Sequence, residues 1–275
     1  MLFCLQITAP HESYDQLTGL LSVYVPTGWQ EETLSSGDIR ITLYDTNQEL
    51  LDTLAKDLSP LILKAEQSEC QERDWQKQWL DSLHPRTIGA FIVVPHGKVE
   101  DSSDHIPLYI EPKNAFGTGE HQTTALCLRI LSHLATTKTL KTPFLDLGTG
   151  SGILAIAAAK LGLDGVGLDI EADAIQCARE NAEKNAVAHA ISLKQGSIEE
   201  VHGQRFGLVF ANILANPLRS MANDLAACVA EEGSLILSGF LDIQCESLSA
   251  LYTDLGFHCT QYEDGEWSAL LCTHA

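Results

Sequence analysis

A glycine-rich turn between an apolar strand and a helix constrains the fold of this chain more than any other feature. Residues 144–152 read FLDLGTGSG, so an apolar run passes into three glycines spaced two apart. The pattern predicts an amphipathic helix over 153–161 and a second apolar strand over 165–168, which ends at Asp169. Glycines let backbone approach a ligand, a helix N-terminus offers N–H groups, and an acidic residue can bind ribose hydroxyls. The turn therefore predicts a nucleotide-type pocket.

The spacing of the glycines separates two classes of nucleotide ligand. A dinucleotide turn has the pattern G-x-G-x-x-G, whereas this chain has G-x-G-x-G, with Asp146 two residues before it. This version resembles the first motif of S-adenosylmethionine-dependent methyltransferases. The resemblance implies that Gly148, Gly150 and Gly152 hold the methionine end of the cofactor. It also implies that Asp146 orients the amino group of the cofactor and that Asp169 binds the ribose. The alternatives are a tight turn without a ligand and, for Asp169, a helix N-cap.

The chain divides into a small leading part and a larger part in which strands and helices alternate. Residues 1–66 carry signals in the order β-α-β-β-α-β, which suggests a ferredoxin-like α+β domain. Residues 67–85 are polar and contain two tryptophans, and we expect a linker helix there. Residues 86–275 predict a seven-stranded, Rossmann-like, mostly parallel doubly wound sheet, with helices between its first six strands. Two strands separated only by residues 263–265 predict an antiparallel hairpin at its end.

Composition and charge restrict the partners of the chain. Against 37 acidic residues stand 17 lysines and arginines, so the net charge is −20 and direct nucleic-acid binding is not expected. An acidic surface can steer a basic protein partner, or it can simply be a well-solvated surface. No apolar run is long enough to span a bilayer, no signal peptide is recognised, and the eight cysteines show no metal-ligand spacing. We therefore expect a cytoplasmic protein with no bound metal and no membrane association.

A second glycine-rich stretch precedes a strongly periodic helix. Residues 115–124 read AFGTGEHQTT and lack the G-K-[ST] of a phosphate loop. Such a loop can fold over a bound cofactor. The alternative is an ordinary helix start with Gln122 or Thr123 as its cap.

This stretch resembles the A-F-G-T-G-x-H-x-T-T signature of the ribosomal protein L11 methyltransferases. The same family is matched at residues 74–79, 84–85, 145–158, 178–182, 211–218 and 266–267. The resemblance implies methyl transfer from S-adenosylmethionine to lysine side chains and to the N-terminal amine of ribosomal protein L11. It also implies that the leading domain binds this substrate, and we expect the enzyme to be a monomer.

The family's functional residues can be carried onto this sequence position by position. The cofactor contacts would be Thr124, Gly148, Asp169 and Asn212, and the methyl-transfer pocket would be lined by Phe116, Thr118 and Gly119, with Asn212 also placed against the substrate. The chain departs from the family pattern beside this site, with Lys113 after Glu111-Pro112 where the family usually has Asp-Pro-Gly, and with Glu120 and Gln122 in place of a common Thr and Pro.

Asn212 ends the fourth predicted strand, where enzymes with such sheets place groups against the substrate. Methyltransferases that act on planar amides use N-P-P-Y here, whereas this chain continues with Ile213 and Leu214. A flexible amine therefore fits better than an amide or a base nitrogen. The alternative is an asparagine that hydrogen-bonds its own turn.

Transfer to lysine requires a neutral amine, and deprotonating a free lysine at pH 7 costs roughly 4–5 kcal/mol. An apolar pocket would lower that cost, and Glu120 or His121 could accept the proton. For His121 the alternative is capping of the following helix. Two other functions remain open: a methyltransferase of the same fold acting on another protein or small amine, and a non-enzymatic cofactor-binding or ribosome-assembly factor.

Overall fold

The structure is a computed structural model, which describes residues 2–24, 29–34, 36–70, 84–95, 104–111 and 121–274. The chain divides into two compact units, Met1–Ser82 and Leu83–Ala275. The division falls within the predicted linker, 67–85. Most of the helix predicted there lies outside the described residues.

The first unit is a four-stranded antiparallel sheet with two helices. Its elements are β1 (Leu2–Ala9), α1 (Tyr14–Tyr24), β2 (Gln30–Thr33), β3 (Ile39–Asp45), α2 (Gln48–Asp57) and β4 (Lys64–Cys70). The strand order β2-β3-β1-β4 is the predicted ferredoxin-like topology. Leu5 and Ile41, on neighbouring strands, share a buried core with Leu17 and Leu51 of the helices. Residues 67–70 complete β4 and do not begin the linker helix that the sequence predicts from residue 67.

The second unit contains the predicted seven-stranded sheet. Its elements are β5 (Arg86–Ile88), β6 (Phe91–Pro95), β7 (Ile106–Ile110), α3 (Gln122–Thr137), β8 (Phe144–Leu147), α4 (Ile153–Lys160), β9 (Gly165–Asp169), α5 (Ala172–Lys184), β10 (Ile191–Gln195), β11 (Phe206–Asn212), α6 (Ala215–Ser220), α7 (Ala222–Cys228), β12 (Val229–Leu241), α8 (Cys245–Asp254), β13 (Phe257–Asp264) and β14 (Trp267–His274). The order is β10-β9-β8-β11-β12-β14-β13, and β14 runs opposite to the other six strands of this sheet. The terminal hairpin is confirmed.

The large sheet separates two apolar cores because its side chains alternate between its faces. Phe144 and Phe210 face one core, which contains α3 and α4. Leu145 and Val209 face the other core, which contains α6, α7 and α8. Strand order reverses between β8 and β11. In open α/β sheets the crevice at such a point, outside the carboxyl ends of the strands, is where ligands bind.

The helix α4 is not amphipathic, contrary to the sequence prediction. Its residues from Ile153 to Ala159 are all buried, and only Lys160 is partly exposed. The cause is a separate three-stranded sheet, β5-β6-β7, whose apolar residues join the same core as α4. A helix covered on both sides must be apolar all round. The run of alanines in α4 lets both neighbours approach closely.

The sequence also predicts a helix between β10 and β11, and this prediction is wrong. Between β10 and β11 the chain forms only a short 3-10 turn, Ile198–Val201, and not a helix of the kind that connects the other strands.

In the described ranges, no helix is both long enough and apolar enough to cross a membrane. Those ranges also contain no group of three or more His, Cys, Asp or Glu side chains arranged to hold a metal ion.

The burial of α4 makes a testable prediction. Ala157→Leu should lower the free energy of unfolding by about 1–3 kcal/mol, because the added carbons have no space between the two sheets. Ala227→Leu, on the exposed side of α7, is the matched control and should change it by no more than about 0.5 kcal/mol. Urea denaturation of both variants measures the difference. Equal, small effects would contradict the two-sided packing of α4.

Candidate functional site

The glycine-rich turn joins β8 to α4 at the carboxyl edge of the large sheet. Gly148 has φ of +73°, and a Cβ there would lie 2.4 Å from Cγ2 of Ile213. Gly152 has φ of +82°, and a Cβ there would lie 3.0 Å from Cβ of Ala178. Side chains are disfavoured at both positions by conformation and by space. The turn can therefore lie directly against its neighbours and expose its backbone.

Asp146 is a buried residue of β8 that bonds to the turn and to the start of α4. Its Oδ2 accepts hydrogen bonds from Thr149 Oγ1 at 2.6 Å and from Ala155 N at 3.1 Å. The side chain is 1% exposed, and this burial raises the pKa of its carboxyl group to about 6, against the lowering effect of the two hydrogen bonds. The nearby charge of Asp169 adds a smaller upward contribution. These contacts join Asp146 to the turn and to the first residues of α4.

Asp169 binds the backbone of the turn. It ends β9, and its Oδ2 accepts a hydrogen bond from Gly150 N at 2.9 Å. Its Oδ1 accepts one from Glu171 N at 3.1 Å. The N-cap position of α5 is occupied by Glu171, so the alternative interpretation of Asp169 as that cap is wrong. Because a carboxylate has about four acceptor sites, Asp169 keeps capacity for further donors.

Asn212 has a buried acceptor with no donor. It ends β11, and its Nδ2 lies 3.4 Å from Oγ1 of Thr124, near the start of α3. Its Oδ1 is buried and accepts no hydrogen bond from any residue that the structure describes. Asn212 therefore does not hydrogen-bond its own turn, contrary to the alternative interpretation. An unsatisfied buried acceptor costs about 1–3 kcal/mol, which makes Asn212 a candidate for contact with a ligand at this edge.

His121 is the N-cap of α3, as the alternative interpretation of this residue predicts, and neither Gln122 nor Thr123 takes that position. Its Nδ1 accepts a hydrogen bond from Thr123 N at 3.4 Å and lies 2.8 Å from Thr123 Oγ1. Its ring packs edge-on against Trp267, with the ring centres 4.6 Å apart. Burial lowers the pKa of the imidazole, which favours the neutral form that capping requires.

The structure brings together most of the residues that the sequence singled out. Thr124, Asp146, Gly148, Gly150, Asp169 and Asn212 all lie at the carboxyl ends of β8, β9 and β11 or at the start of α3. Phe116, Thr118, Gly119, Lys113 and Glu120 lie outside the described residues. One residue of the site was missed: Asn181 of α5, whose Nδ2 donates to the carbonyl of Ser151 at 2.9 Å. The only signal for it was the match over 178–182.

The fold and the site define an enzyme of the Rossmann-like methyltransferase class. The pattern of one family, described as ribosomal protein L11 methyltransferase (PrmA), matches residues 21–275. This chain belongs to that family, which confirms both the predicted resemblance and the predicted enzyme class.

Individual relatives agree with the family match. The ribosomal protein L11 methyltransferase of Vibrio campbellii is 40% identical over 209 residues, which cover 74% of this chain and 68% of the relative. That of Salmonella newport is 37% identical over 246 residues, or 86% of this chain and 82% of the relative. A crystal structure of the ribosomal protein L11 methylase of Lactobacillus delbrueckii subsp. bulgaricus is 30% identical with a TM-score of 0.61, covering 70% of this chain and 99% of that one.

The raised pKa of Asp146 predicts that the free energy of unfolding depends on pH. Its folded value of about 6 lies above the ordinary 3.8, so the native state binds the proton more tightly than the unfolded chain. The wild-type free energy of unfolding should therefore fall by up to roughly 3 kcal/mol between about pH 4 and pH 6 because of this group. Asp146→Asn keeps an oxygen for both hydrogen bonds and cannot ionise. Its stability relative to wild type should rise over that range.

Denaturant unfolding of the ligand-free protein at several pH values measures this difference. Asp254→Asn, on an exposed position of α8, controls for the loss of one carboxylate. A difference between Asp146→Asn and wild type that stays constant with pH would contradict the buried charge.

Proposed function

We propose that this chain transfers methyl groups from S-adenosylmethionine to lysine side-chain amines and to the N-terminal amine of ribosomal protein L11. The observation that carries the proposal is the buried Oδ1 of Asn212, which lacks a donor among the described residues and lies at the sheet edge beside the glycine-rich turn. The relatives named above are described as methyltransferases of that ribosomal protein. In this proposal the carboxyl edge of the large sheet binds both the cofactor and the amine that accepts the methyl group.

The described residues fit S-adenosylmethionine. The absence of a side chain at Gly148 and Gly150 lets the methionine end approach the backbone of the turn closely, and Asp169 has acceptor capacity for the ribose hydroxyls. Thr124 offers a hydroxyl on the opposite side, beside Asn212. When bound, the cofactor supplies a methyl group on a positively charged sulfur. The role of Asp146 is to hold the turn that receives it.

Asn212 suits an amine as the acceptor of the methyl group. Its free Oδ1 can accept an N–H and so orient the nitrogen lone pair, while Nδ2 is held by Thr124. The side chains that follow it are apolar, and Leu214 is 70% exposed. Apolar surroundings favour the neutral form of an incoming lysine. Phe116 and Thr118 complete the pocket in this proposal, on the strength of the family signature.

The acidic character of the chain suits a basic protein substrate. A net charge of −20 raises the rate of encounter with such a partner and disfavours direct contact with nucleic acid. We assign substrate binding to the first unit, and we expect the enzyme to act as a monomer in the cytoplasm. Another protein or a small amine is the alternative substrate.

Intact-protein mass spectrometry tests the function directly. Purified L11 incubated with this protein and S-adenosylmethionine should gain mass in steps of one methyl group. Asp169→Ala should abolish the gain because the ribose loses its carboxylate. Asp173→Ala, which removes an exposed carboxylate four residues later, is the matched control and should keep it. No gain by wild type, with S-adenosylhomocysteine still bound in calorimetry, would overturn the L11 assignment and leave the methyltransferase class intact.

Asn212→Ala should separate stability from activity. The ligand-free variant should lose little stability, because removal of an unsatisfied buried acceptor offsets the loss of the 3.4 Å contact with Thr124. Its kcat for methyl transfer should fall on the order of 100-fold, because the amine is no longer oriented. Asn223→Ala, on the exposed side of α7, should change neither quantity. Thermal unfolding and initial rates give both values, and an unchanged kcat would contradict the role of Asn212.

A further inference from the structure

Two buried asparagines at the end of α5 bond to backbone groups of distant segments. Asn181 is 0% exposed and Asn185, one helical turn later, is 1% exposed. A side-chain amide carries a donor and an acceptor in the same arrangement as a peptide group, so it can pair with a strand edge. Both asparagines use this property, but they do not bond to the same elements.

Asn185 binds only the strand β7 and its own helix. Its Oδ1 accepts a hydrogen bond from Tyr109 N at 3.0 Å, and its Nδ2 donates to Tyr109 O at 2.8 Å. The same Nδ2 donates to the carbonyl of Asn181 at 2.8 Å. β6 pairs with one edge of β7, and this amide satisfies the backbone groups on the other edge. The contact is structural and does not reach the glycine-rich turn.

Asn181 binds the next backbone group of that edge and, in addition, the turn. Its Oδ1 accepts a hydrogen bond from Glu111 N at 3.0 Å, two residues beyond Tyr109. Its Nδ2 donates to the carbonyl of Ser151 at 2.9 Å. One amide therefore joins the end of β7 to the turn. The turn also touches α5 one helical turn earlier, because Gly152 lies directly against Ala178.

The bond to Ser151 fixes a peptide plane in the turn. Because the peptide unit is planar, holding the carbonyl of Ser151 also sets the direction of the N–H of Gly152, which bonds to the carbonyl of Thr149 at 2.8 Å. The N–H of Gly150, two residues earlier, is held by Asp169. Asn181 therefore donates to a carbonyl in a buried part of the turn.

We propose that Asn181 is a positioning residue for cofactor binding: its side-chain amide fixes the glycine-rich turn against the end of β7, so that the turn keeps its binding geometry without a ligand. The proposal rests on the proposed function only for the identity of the cofactor. The proposed role requires both the acceptor Oδ1 and the donor Nδ2 of Asn181. Aspartate at this position has the same shape but no donor, so it would keep the bond from Glu111 and face the carbonyl of Ser151 with a negative charge.

Asn181→Asp and Asn185→Asp form a matched pair for the test. Each variant loses donors to buried carbonyls, and each should lose stability, but only Asn181 touches the turn. Calorimetry at pH 7.5 should show the dissociation constant for S-adenosylhomocysteine rising on the order of 10-fold or more in Asn181→Asp. In Asn185→Asp it should stay within about 2-fold of wild type. Equal weakening in both variants, or none in Asn181→Asp, would overturn the proposal.

The pH dependence of the affinity distinguishes the proposed role of Asn181 from a general loss of stability. The carboxyl group introduced by Asn181→Asp can donate to Ser151 once it is protonated, so the affinity of this variant should recover towards wild type near pH 5. The other titratable groups around it are Cys177 on its own helix, the Lys184–Glu111 ion pair, and Asp146 and Asp169 at the turn. The ratio of variant to wild-type affinity at each pH removes their common contribution. A ratio that does not change with pH would overturn the proposal.

Amide hydrogen exchange tests the same claim without any ligand. The amide of Gly152 should exchange faster in Asn181→Asp than in wild type, and at the wild-type rate in Asn185→Asp, once rates are corrected for global stability. Unchanged exchange at Gly152 in Asn181→Asp would contradict the role of Asn181. Failure of wild type to methylate L11 would overturn only the proposed substrate, because neither the binding nor the exchange experiment uses it.

Discussion

The turn between β8 and α4 is held by three buried or partly buried side chains. Asp146 bonds to Thr149 and to the start of α4, Asp169 bonds to Gly150, and Asn181 bonds to Ser151. Each of these side chains comes from a different element, so the turn has its shape only when the sheet and α5 are in place. A binding loop that is already ordered loses less conformational entropy when a ligand binds.

Two features of the site lower the stability of the ligand-free fold. The carboxyl group of Asp146 is buried with its pKa raised to about 6, so at neutral pH the protein carries a poorly solvated charge. Asn212 keeps a buried acceptor without a donor among the described residues. Proteins tolerate such local costs at functional sites, where an apolar or better-paired residue would be more stable. Both residues lie at the edge where the strand order reverses, which is where the fold places its ligands.

The sequence predicts the class of fold and most of the site because those signals are local. Three spaced glycines, an acidic residue at the end of the next strand and a closing hairpin each lie within a short segment. The errors have identifiable causes. The alanines of α4 fit an amphipathic pattern as well as a fully buried one, and only the three-stranded sheet decides between them. Asn181 has no signal beyond the family match over 178–182, since its hydrogen-bond partners are 30 and 70 residues away in the chain. The sequence offers His121, Gln122 and Thr123 as caps of α3, and only the contact of His121 Nδ1 with Thr123 N decides between them.

A crystal structure of this chain with S-adenosylhomocysteine tests the central claim most directly, namely that the turn is built before the ligand arrives. The account predicts that the backbone of 148–152 keeps its ligand-free conformation to within about 1 Å. It also predicts that the ribose hydroxyls lie on Asp169, which keeps its bond from Gly150. A turn that refolds around the ligand, or a ligand bound away from the carboxyl edge of β8 and β9, would contradict it.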